Sequence, residues 1–334
     1  MGGCASTSTR PLPAGRPGTT GIAVLEKIAL GGVDQWVLIR GTDVNAPVVL
    51  KIHGGPGQAE MAAVGYNSGL EQNFVVVEWD QRGAGKSASA VNPVSGMTLE
   101  RIVGDTVELT QILLHRFHKE KLILVGHSWG SVVAAHAAQQ APELYAALVT
   151  TGLITNTRQG WTETWNHLVE EAGRRGNTRA SRELAEIGMP PYDGKDQVHQ
   201  RQVFGRWIED LGASWHQARP LDRVGMMVAA PEYSWPEKFG FLPAAARSSS
   251  LLWTDLASVD LELQIPRLSV PVFVAAGRFD YLAPTSVSQK WFDSLSAPKK
   301  VWRWFENSAH FPMFEEPEAF QAFLKEVSRE VGTA

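Results

Sequence analysis

The hydrophobic positions of this chain fall into short runs that alternate with amphipathic stretches. The runs that predict strands cover residues 22–30, 35–40, 47–52, 74–79, 121–125, 146–151, 271–276 and 301–305. Gly31 and Gly32 separate the first two runs, which predicts a hairpin. Most later runs are continuously apolar, as in strands of a parallel sheet covered on both faces. The last run alternates aromatics with Arg303, which predicts a more exposed strand.

Helical periodicity separates the later runs. Residues 99–117 place Ile102, Leu109 and Leu113 on one helical face, residues 131–140 are rich in small side chains, and residues 319–331 are amphipathic. The alternation of strands and helices predicts an α/β fold with a mostly parallel, doubly wound sheet and right-handed crossovers.

One long stretch interrupts this alternation. Residues 152 to about 266 contain helix-like pieces, no convincing strand and six of the twelve tryptophans. This stretch is too long for a loop, so we interpret it as a helical cap inserted after the sixth strand. The predicted organisation is a flexible tail (1–20), a core in two parts (21–151 and 267–334) and the cap between them (152–266).

The composition excludes several classes of function. The 334 residues include 31 basic and 35 acidic side chains, and this near-neutral balance argues against a nucleic-acid partner. No window approaches the roughly 20 apolar residues that a membrane-spanning helix needs. The single cysteine, Cys4, cannot form an internal disulfide or a cysteine-rich metal site. No feature of the sequence indicates an oligomeric state.

The first 20 residues are dominated by Gly, Pro, Ser and Thr, which predicts flexibility. Residues 1–6 (Met-Gly-Gly-Cys-Ala-Ser) fit the pattern for N-myristoylation, and also the remnant of a bacterial lipoprotein site with a lipidated Cys4. The apolar stretch that should precede such a cysteine is missing from this chain. We therefore expect an unmodified tail and a cytoplasmic location, with a membrane tether through Cys4 as the alternative.

The strongest chemical signal is the Gly-His-Ser-Trp-Gly sequence of residues 126–130. It satisfies the G-x-S-x-G pattern and lies between a predicted strand and a predicted helix, the context that gives the pattern meaning. A sharp turn here would expose Ser128 at the carboxyl edge of the sheet, where the helix N-terminus favours developing negative charge. The motif therefore predicts a nucleophilic Ser128 rather than an ordinary turn serine.

A nucleophilic serine needs a base, and the base needs an orienting acid. Asp280 follows the run 271–276, and His310 follows the last run, so both come from the sheet edge where Ser128 emerges. We assign Asp280 as the acid, with Asp293 and Glu306 as alternatives, and His310 as the base. The other eight histidines lie on predicted helices, in the cap or within turns that they help to build.

An oxyanion hole requires backbone N–H groups aimed at the tetrahedral oxygen. Trp129, directly after the nucleophile, supplies one donor. Residues 53–57 (His-Gly-Gly-Pro-Gly) follow a predicted strand, and their glycines allow close approach of the backbone to substrate. We assign the second donor to Gly55 and place Gly54 beside the substrate.

The segment 80–87 (Asp-Gln-Arg-Gly-Ala-Gly-Lys-Ser) contains a Gly-Lys-Ser sequence typical of phosphate-binding loops. The first glycine of the G-x-x-x-x-G-K-[ST] spacing is missing, however. We therefore expect a structural turn with an interaction between Asp80 and Arg82.

Four motifs, in order, resemble the proline iminopeptidase branch of the α/β-hydrolases, a serine peptidase family of the S33 type. They occupy residues 53–57, 80–87, 126–130 and 277–280, and the matching regions cover about 22–151 and 271–331. The resemblance implies an eight-stranded α/β-hydrolase fold with a helical cap and a catalytic triad of Ser128, Asp280 and His310. It implies Gly55 and Trp129 as oxyanion donors, and no metal or organic cofactor. One departure is His127, where the branch often has glycine.

The resemblance also implies a small-molecule or short-peptide substrate, from which an N-terminal residue, often proline, is released. Cap acids of the family's peptidases bind the free amino group. The candidates here are Glu163, Glu170, Glu171, Glu186, Glu209, Asp210 and Glu232. We assign Glu163 and Glu232 to substrate binding.

The same motifs occur in relatives that hydrolyse other acyl compounds. An aminopeptidase acting on small peptides or aminoacyl amides is therefore the first hypothesis. A hydrolase of carboxylic esters, lactones or non-peptide amides is the alternative, and a catalytically silent binding module on the same fold is a third.

Overall fold

Eight strands form one sheet in the computed structural model, which describes residues 8–67, 69–91, 96–217 and 220–333. The strands lie in the order β1-β2-β4-β3-β5-β6-β7-β8. Their bounds are β1 Ile22–Leu30, β2 Val33–Gly41, β3 Val48–Ile52, β4 Val75–Trp79, β5 Leu122–His127, β6 Tyr145–Thr151, β7 Val272–Gly277 and β8 Lys300–Phe305. The β1–β2 and β2–β4 pairs are antiparallel and all other pairs are parallel, which confirms the predicted sheet.

The burial of the strands follows from their sequences. The continuously apolar runs became β3 to β7, in which every residue is buried because helices cover both faces of the sheet. The strand β8 lies at the edge and is largely exposed or half-buried, as its alternation of aromatics with Arg303 predicts. The carboxyl ends of β5, β7 and β8 meet on one side of the sheet, so the loops that follow them converge there.

The described ranges contain twelve α-helices, some on the faces of the sheet and others in the segment between β6 and β7. They are α1 Leu99–Phe117, α2 Trp129–Gln140, α3 Thr157–Arg174, α4 Thr178–Ile187, α5 Gln197–Asp210, α6 Pro220–Ala229, α7 Trp235–Leu251, α8 Trp253–Ala257, α9 Leu261–Gln264, α10 Thr285–Ser294, α11 Pro312–Glu315 and α12 Pro317–Glu330. Short 3₁₀ segments cover Met61–Asn67, Gly85–Ser87 and Pro142–Leu144. Where helices are described, none combines the length and apolarity needed to cross a bilayer.

Seven helices, α3 to α9, lie between β6 and β7, where the sequence predicts the cap. A β-bridge between Asn156 and Asp260 brings the two ends of this segment together. Its first three helices, α3 to α5, have an apolar core of their own, which includes Leu168, Leu184 and Trp207 and is separate from the cores on the two faces of the sheet. Half-buried Trp161 and Trp165 pack against it, so part of the tryptophan cluster serves the packing of these helices.

Buried charged side chains outside the predicted tail bind the first described residues of that tail. The Arg40 guanidinium, 2% exposed, donates to the Glu71 carboxylate on one side and to Thr9 Oγ1 and the Arg10 carbonyl oxygen on the other. Arg10 also forms an ion pair with Glu232. Buried charges need partners, and these residues of the tail supply them. Cys4 lies outside the described residues.

The segment 80–87 forms a structural turn, but its arginine has a different partner from the one expected. Arg82 Nε lies 2.6 Å from Asp105 Oδ2 of α1, and Nη2 lies 2.9 Å from Oδ1, with both side chains fully buried. Asp80 instead accepts hydrogen bonds from the Lys86 backbone N–H and the Tyr233 hydroxyl. Burial raises the pKa of Asp80 to about 7. A planar guanidinium and a carboxylate in this bidentate arrangement hold the turn onto α1.

Asp105→Ala is expected to lower the free energy of unfolding by about 3–5 kcal/mol, because it leaves the buried Arg82 charge uncompensated. Gln35 Nε2, which donates to Asp105 at 2.8 Å and to the Leu30 carbonyl oxygen at 3.3 Å, would lose the shorter of these hydrogen bonds as well. Urea unfolding followed by circular dichroism measures the change. The control is Asp34→Ala at an exposed position, which should change stability by no more than about 0.5 kcal/mol. A loss below about 1 kcal/mol for Asp105→Ala would contradict the role assigned to the pair.

Candidate active site

The nucleophile candidate lies on a sharp turn between β5 and α2. Ser128 has φ 53° and ψ −121°, a left-handed conformation that is strained for a residue with a side chain. The flanking glycines make the turn possible. A Cβ on Gly130 would lie 2.0 Å from the Ile52 carbonyl oxygen, and one on Gly126 would lie 2.4 Å from the Gly130 carbonyl oxygen. The G-x-S-x-G pattern is therefore a steric requirement of this fold.

Asp280 and His310 come together at the same edge of the sheet. His310 Nδ1 lies 2.9 Å from Asp280 Oδ2, and both side chains are almost fully buried. The other carboxylate oxygen, Oδ1, accepts backbone N–H bonds from Leu282 and Ala283 at 3.0 and 2.8 Å, which fix the orientation of the carboxylate. Because Nδ1 faces a carboxylate it carries the proton, and Nε2 is left as the basic nitrogen of the ring.

The His310 imidazole packs closely against the backbone that follows β6. A Cβ on Gly152, directly after that strand, would lie 2.6 Å from His310 Cε1. The backbone N–H of His310 donates to the Ser214 carbonyl oxygen at 3.1 Å, which connects the histidine loop to the segment after α5. The two alternative acids lie elsewhere. Asp293 is exposed near the end of α10, and Glu306 is exposed and paired with Arg278.

The loop of residues 53–57 approaches the nucleophile closely. A Cβ on Gly54 would lie 3.0 Å from Ser128 Cβ. The Gly54 carbonyl oxygen accepts from the Gln58 backbone N–H at 3.2 Å and lies 2.9 Å from His53 Nδ1. The Gly54 C=O and the Gly55 N–H belong to one planar trans peptide and point in opposite directions. The Gly55 N–H therefore points away from the side on which Gln58 and His53 contact the Gly54 carbonyl oxygen. Gly55 itself has φ 118°, a conformation suited to glycine.

The other donor candidate, Trp129, is at the start of α2. Trp129 is the first residue of this helix, so its N–H has no partner within the helix. A helix N-terminus carries partial positive charge, which favours an oxyanion near Ser128. The two candidate donors thus come from two different segments, Gly55 from the loop that approaches Ser128 and Trp129 from the helix that starts directly after it.

A cavity of about 240 Å³ contains the nucleophile and base candidates. The core contributes Gly55, His127, Ser128 and His310 to its lining, and the cap segment contributes Leu153, Ile154, Asn156, Trp161, Ile208, Glu209 and Leu256. The volume is below the range of about 300–1,000 Å³ typical of pockets for drug-sized ligands, so a small acyl group fits it best. Most of the lining side chains from the cap segment are apolar, with Glu209 as the acid among them.

The structure places Glu163 and Glu232 away from this cavity. Glu163 accepts a hydrogen bond from Ser286 at 2.7 Å and lines a separate surface depression. Glu232 is fully buried against the tail and is bonded to Thr9 and Arg10. Burial alone would raise the pKa of Glu232, but the hydrogen bonds from these two residues lower it. The cap acid at the cavity is instead Glu209, near the end of α5.

Glu209 is connected to the histidine loop. Its Oε2 accepts a hydrogen bond from Ser214 Oγ at 3.0 Å, and the carbonyl oxygen of the same serine accepts from the His310 N–H. Glu209 was one of seven equivalent cap acids in the sequence. No signal in the sequence distinguishes it, because its position near the cavity depends on the packing of α5 against the rest of the molecule. Among the residues that the structure describes, no three acidic, histidine or cysteine side chains group to hold a metal ion.

Comparisons with known proteins agree with this geometry. The family model described as "Serine aminopeptidase, S33" matches residues 45–183. The probable aminopeptidase YbaC of Bacillus subtilis (strain 168) is 33% identical over 314 residues, which cover 94% of this chain and 98% of the relative. Together with the eight-stranded sheet, these matches define a hydrolase of the α/β-hydrolase superfamily. The chain belongs to the proline iminopeptidase-like branch of that superfamily.

Two solved structures share the fold. A proline iminopeptidase-related protein of Thermus thermophilus has a TM-score of 0.66 at 19% identity, over 94% of this chain and 100% of that one. An esterase of Exiguobacterium antarcticum has a TM-score of 0.54 at 18% identity, over 90% and 98%. The fold thus accommodates different acyl substrates, and the substrate of this enzyme has to be argued from its own cavity.

Proposed function

We propose that the protein is a serine aminopeptidase that releases N-terminal residues from small peptides or aminoacyl amides. Ser128, Asp280 and His310 act as its triad, with the Gly55 and Trp129 N–H groups as the oxyanion hole. The observation that carries the proposal is the presence of a cap carboxylate, Glu209, in the same small cavity as Ser128 and His310. Most relatives and structures reported above bear peptidase names, which supports this assignment.

The reaction has two stages, acylation and deacylation, and both use the same groups. His310 Nε2 takes the Ser128 proton, the serine oxygen attacks the scissile carbonyl carbon, and the two N–H groups stabilise the oxyanion. The leaving amine departs with the proton from His310, which leaves an acyl-enzyme. Water then attacks the ester with His310 again as base, which releases the free amino acid and restores the serine.

Glu209 is placed to recognise the free amine of the substrate. Glu209 is an exposed residue that lines the cavity, and its carboxylate can form a charge-assisted hydrogen bond with an N-terminal ammonium, stronger than a neutral one. The apolar side chains of Leu153, Trp161 and Ile208 are suited to the side chain or proline ring of the N-terminal residue. A free amine next to the scissile carbonyl would thus be selected, and a blocked amine would give Glu209 no positively charged partner.

Glu209→Gln is expected to lower kcat/KM for proline and alanine p-nitroanilides by about 30- to 100-fold, the loss of one hydrogen bond to a charged group. Hydrolysis of p-nitrophenyl butyrate, which has no amine, should change less than about twofold. Initial rates with both substrates measure this split. Glu170→Gln, at an exposed position of α3 away from the cavity, is the matched control and should change neither rate.

The wild-type rates decide between the substrate classes. Fast anilide hydrolysis that fails when the amine is acetylated is the expected result. Turnover of the ester without the anilides would overturn the aminopeptidase proposal in favour of a carboxylic ester, lactone or non-peptide amide hydrolase. The largely apolar lining of the cavity makes this the second candidate. An equal loss on both substrates in Glu209→Gln would show that Glu209 does not bind the amine.

A further inference from the structure

A buried carboxylate lies between the two loops that carry the proposed oxyanion donors. Glu60 is 10% exposed, and its Oε1 accepts the Gly54 backbone N–H at 3.3 Å. The same oxygen contacts Nδ1 of His127, the residue directly before the nucleophile. Glu60 therefore connects the loop of residues 53–57 to the turn that holds Ser128.

His127 continues the connection to a third loop. Its Nε2 lies 3.2 Å from the carbonyl oxygen of His310, and the centroids of the two imidazole rings are 5.0 Å apart. Both nitrogens of His127 thus face acceptors, a carboxylate oxygen at Nδ1 and a carbonyl oxygen at Nε2. A neutral imidazole has one N–H and can donate only once, whereas an imidazolium donates from both nitrogens.

His53, close by, shows the contrasting arrangement. Its Nε2 accepts the Gln81 backbone N–H at 3.1 Å, and its Nδ1 lies next to the Gly54 carbonyl oxygen, so one donor and one acceptor suffice. Burial lowers the pKa of His53, in keeping with a neutral ring. The contacts around the two histidines therefore differ in the proton count that they require.

We propose that Glu60 and His127 form a permanent ion pair of carboxylate and imidazolium. This pair fixes the relative positions of the loop of residues 53–57, the turn that holds Ser128 and the loop that carries His310. Both are positioning residues, which act through Gly54, Ser128 and His310 without touching substrate. This inference rests on the proposed function of Ser128 and His310.

The charges around the pair are consistent with this assignment. Burial alone would raise the pKa of Glu60, but the charge of His127 and the hydrogen bond with it lower the pKa to about 2, with the charge of Lys51 contributing. Lys51 is itself paired with Glu78 at 2.6 Å, and His310 is bonded to Asp280. Each charged group that faces the pair thus has a partner of opposite charge or a hydrogen-bond acceptor.

One oxygen serves both Gly54 and His127, and this makes a conservative substitution informative. In Glu60→Gln, the amide oxygen can accept from Gly54 while the amide nitrogen turns elsewhere, but the ion pair is lost. A neutral His127 can then donate to the new side-chain amide or to the His310 carbonyl oxygen, not to both. One of the three loops would be released although the volume of the side chain is nearly unchanged.

The protonation state is measured directly by NMR of the full chain with ¹⁵N-labelled histidine. His127 is assigned as the signal that disappears in His127→Gly. We expect imidazolium ¹⁵N shifts for His127 from about pH 6 to about pH 8, and the shifts of a neutral ring at about pH 8 in Glu60→Gln. A neutral His127 in the wild type near pH 7 would overturn the inference. This measurement needs no substrate, so it is decided separately from the proposed function.

The effect on reactivity is measured as the rate of covalent labelling of Ser128 by a fluorophosphonate, which loses fluoride as the serine oxygen attacks phosphorus. Glu60→Gln should slow labelling about 10- to 100-fold and lower kcat with little change in KM. Glu262→Gln, at an exposed position of α9, is the control and should label like the wild type. Labelling of Glu60→Gln at the wild-type rate would overturn the inference. A wild type that never labels would overturn the proposed function instead.

A double-mutant cycle separates the pair from general effects on folding. His127→Gly alone leaves the Glu60 carboxylate buried without its partner and should slow labelling more than Glu60→Gln does. The double variant Glu60→Gln/His127→Gly should label at least about threefold faster than His127→Gly. Additive losses in the cycle would contradict a coupled pair. Glu60→Asp, which keeps the charge but is one methylene shorter, should retain the imidazolium signal while labelling slowly.

Discussion

Ser128→Ala is expected to lower kcat for aminoacyl p-nitroanilides by about 10⁵- to 10⁶-fold. Removal of the nucleophile prevents the acyl-enzyme from forming and leaves only oxyanion stabilisation and substrate binding as sources of rate enhancement. The binding groups are unchanged, because Glu209 and the apolar lining do not depend on the serine oxygen. KM should therefore remain within a few-fold of the wild-type value, although kcat collapses.

The measurement combines steady-state rates with intact-mass detection of fluorophosphonate labelling, which should be absent in the variant. Ser294→Ala, at an exposed position of α10, is the matched control and should react like the wild type. Because alanine relieves no steric contact at φ 53°, the variant keeps the strained turn and should unfold at nearly the same urea concentration as the wild type. Substantial anilide turnover by Ser128→Ala, with the same dependence on Glu209, would overturn the proposed mechanism.

The sheet could be predicted from sequence because each of its strands leaves a local signal. Runs of Val, Leu and Ile such as residues 121–125 can be satisfied only by burial on both faces, and the observed strand, Leu122–His127, differs from that run by one or two residues at its ends. The glycines at 126 and 130 likewise report a steric requirement that does not depend on distant parts of the chain. Both signals are properties of a few consecutive residues.

The partners of charged residues could not be predicted in the same way. Arg82 pairs with Asp105 across 23 residues, whereas the sequence suggested nearby Asp80. Glu232 is bonded to Arg10, 222 residues away. An acid on a helix looks the same in sequence whether it faces solvent, a buried arginine or a cavity, and so Glu209 could not be chosen over Glu163 and Glu232.

The contacts of Glu60 and His127 were only partly predictable from the sequence. The sequence identified His127 as a departure from the glycine frequent in related enzymes, but gave no reason for it. The partner lies 67 residues away, between the motif of residues 53–57 and the 3₁₀ segment Met61–Asn67, at a position that no motif includes. A departure from a family pattern next to a nucleophile was thus a useful signal, and its explanation required the spatial arrangement.

Asp280→Asn is expected to lower kcat by about 10⁴-fold with little effect on KM or stability. The reason lies in the two oxygens of the carboxylate. Because Oδ1 accepts the Leu282 and Ala283 backbone N–H groups, an asparagine would place its amide oxygen there and its NH₂ group toward His310. Nδ1 of His310 would then have to accept a hydrogen bond, and its proton would move to Nε2.

In that tautomer His310 has no lone pair at Nε2 and cannot take the proton from Ser128. The shape of the site is preserved, so the loss appears in kcat and in the rate of fluorophosphonate labelling. Asp293→Asn, which changes the alternative acid at an exposed position, is the matched control and should be fully active. A fully active Asp280→Asn together with an inactive Asp293→Asn would reassign the acid. Loss in Asp280→Asn alone would fix Asp280 as the residue that sets the tautomer of the base.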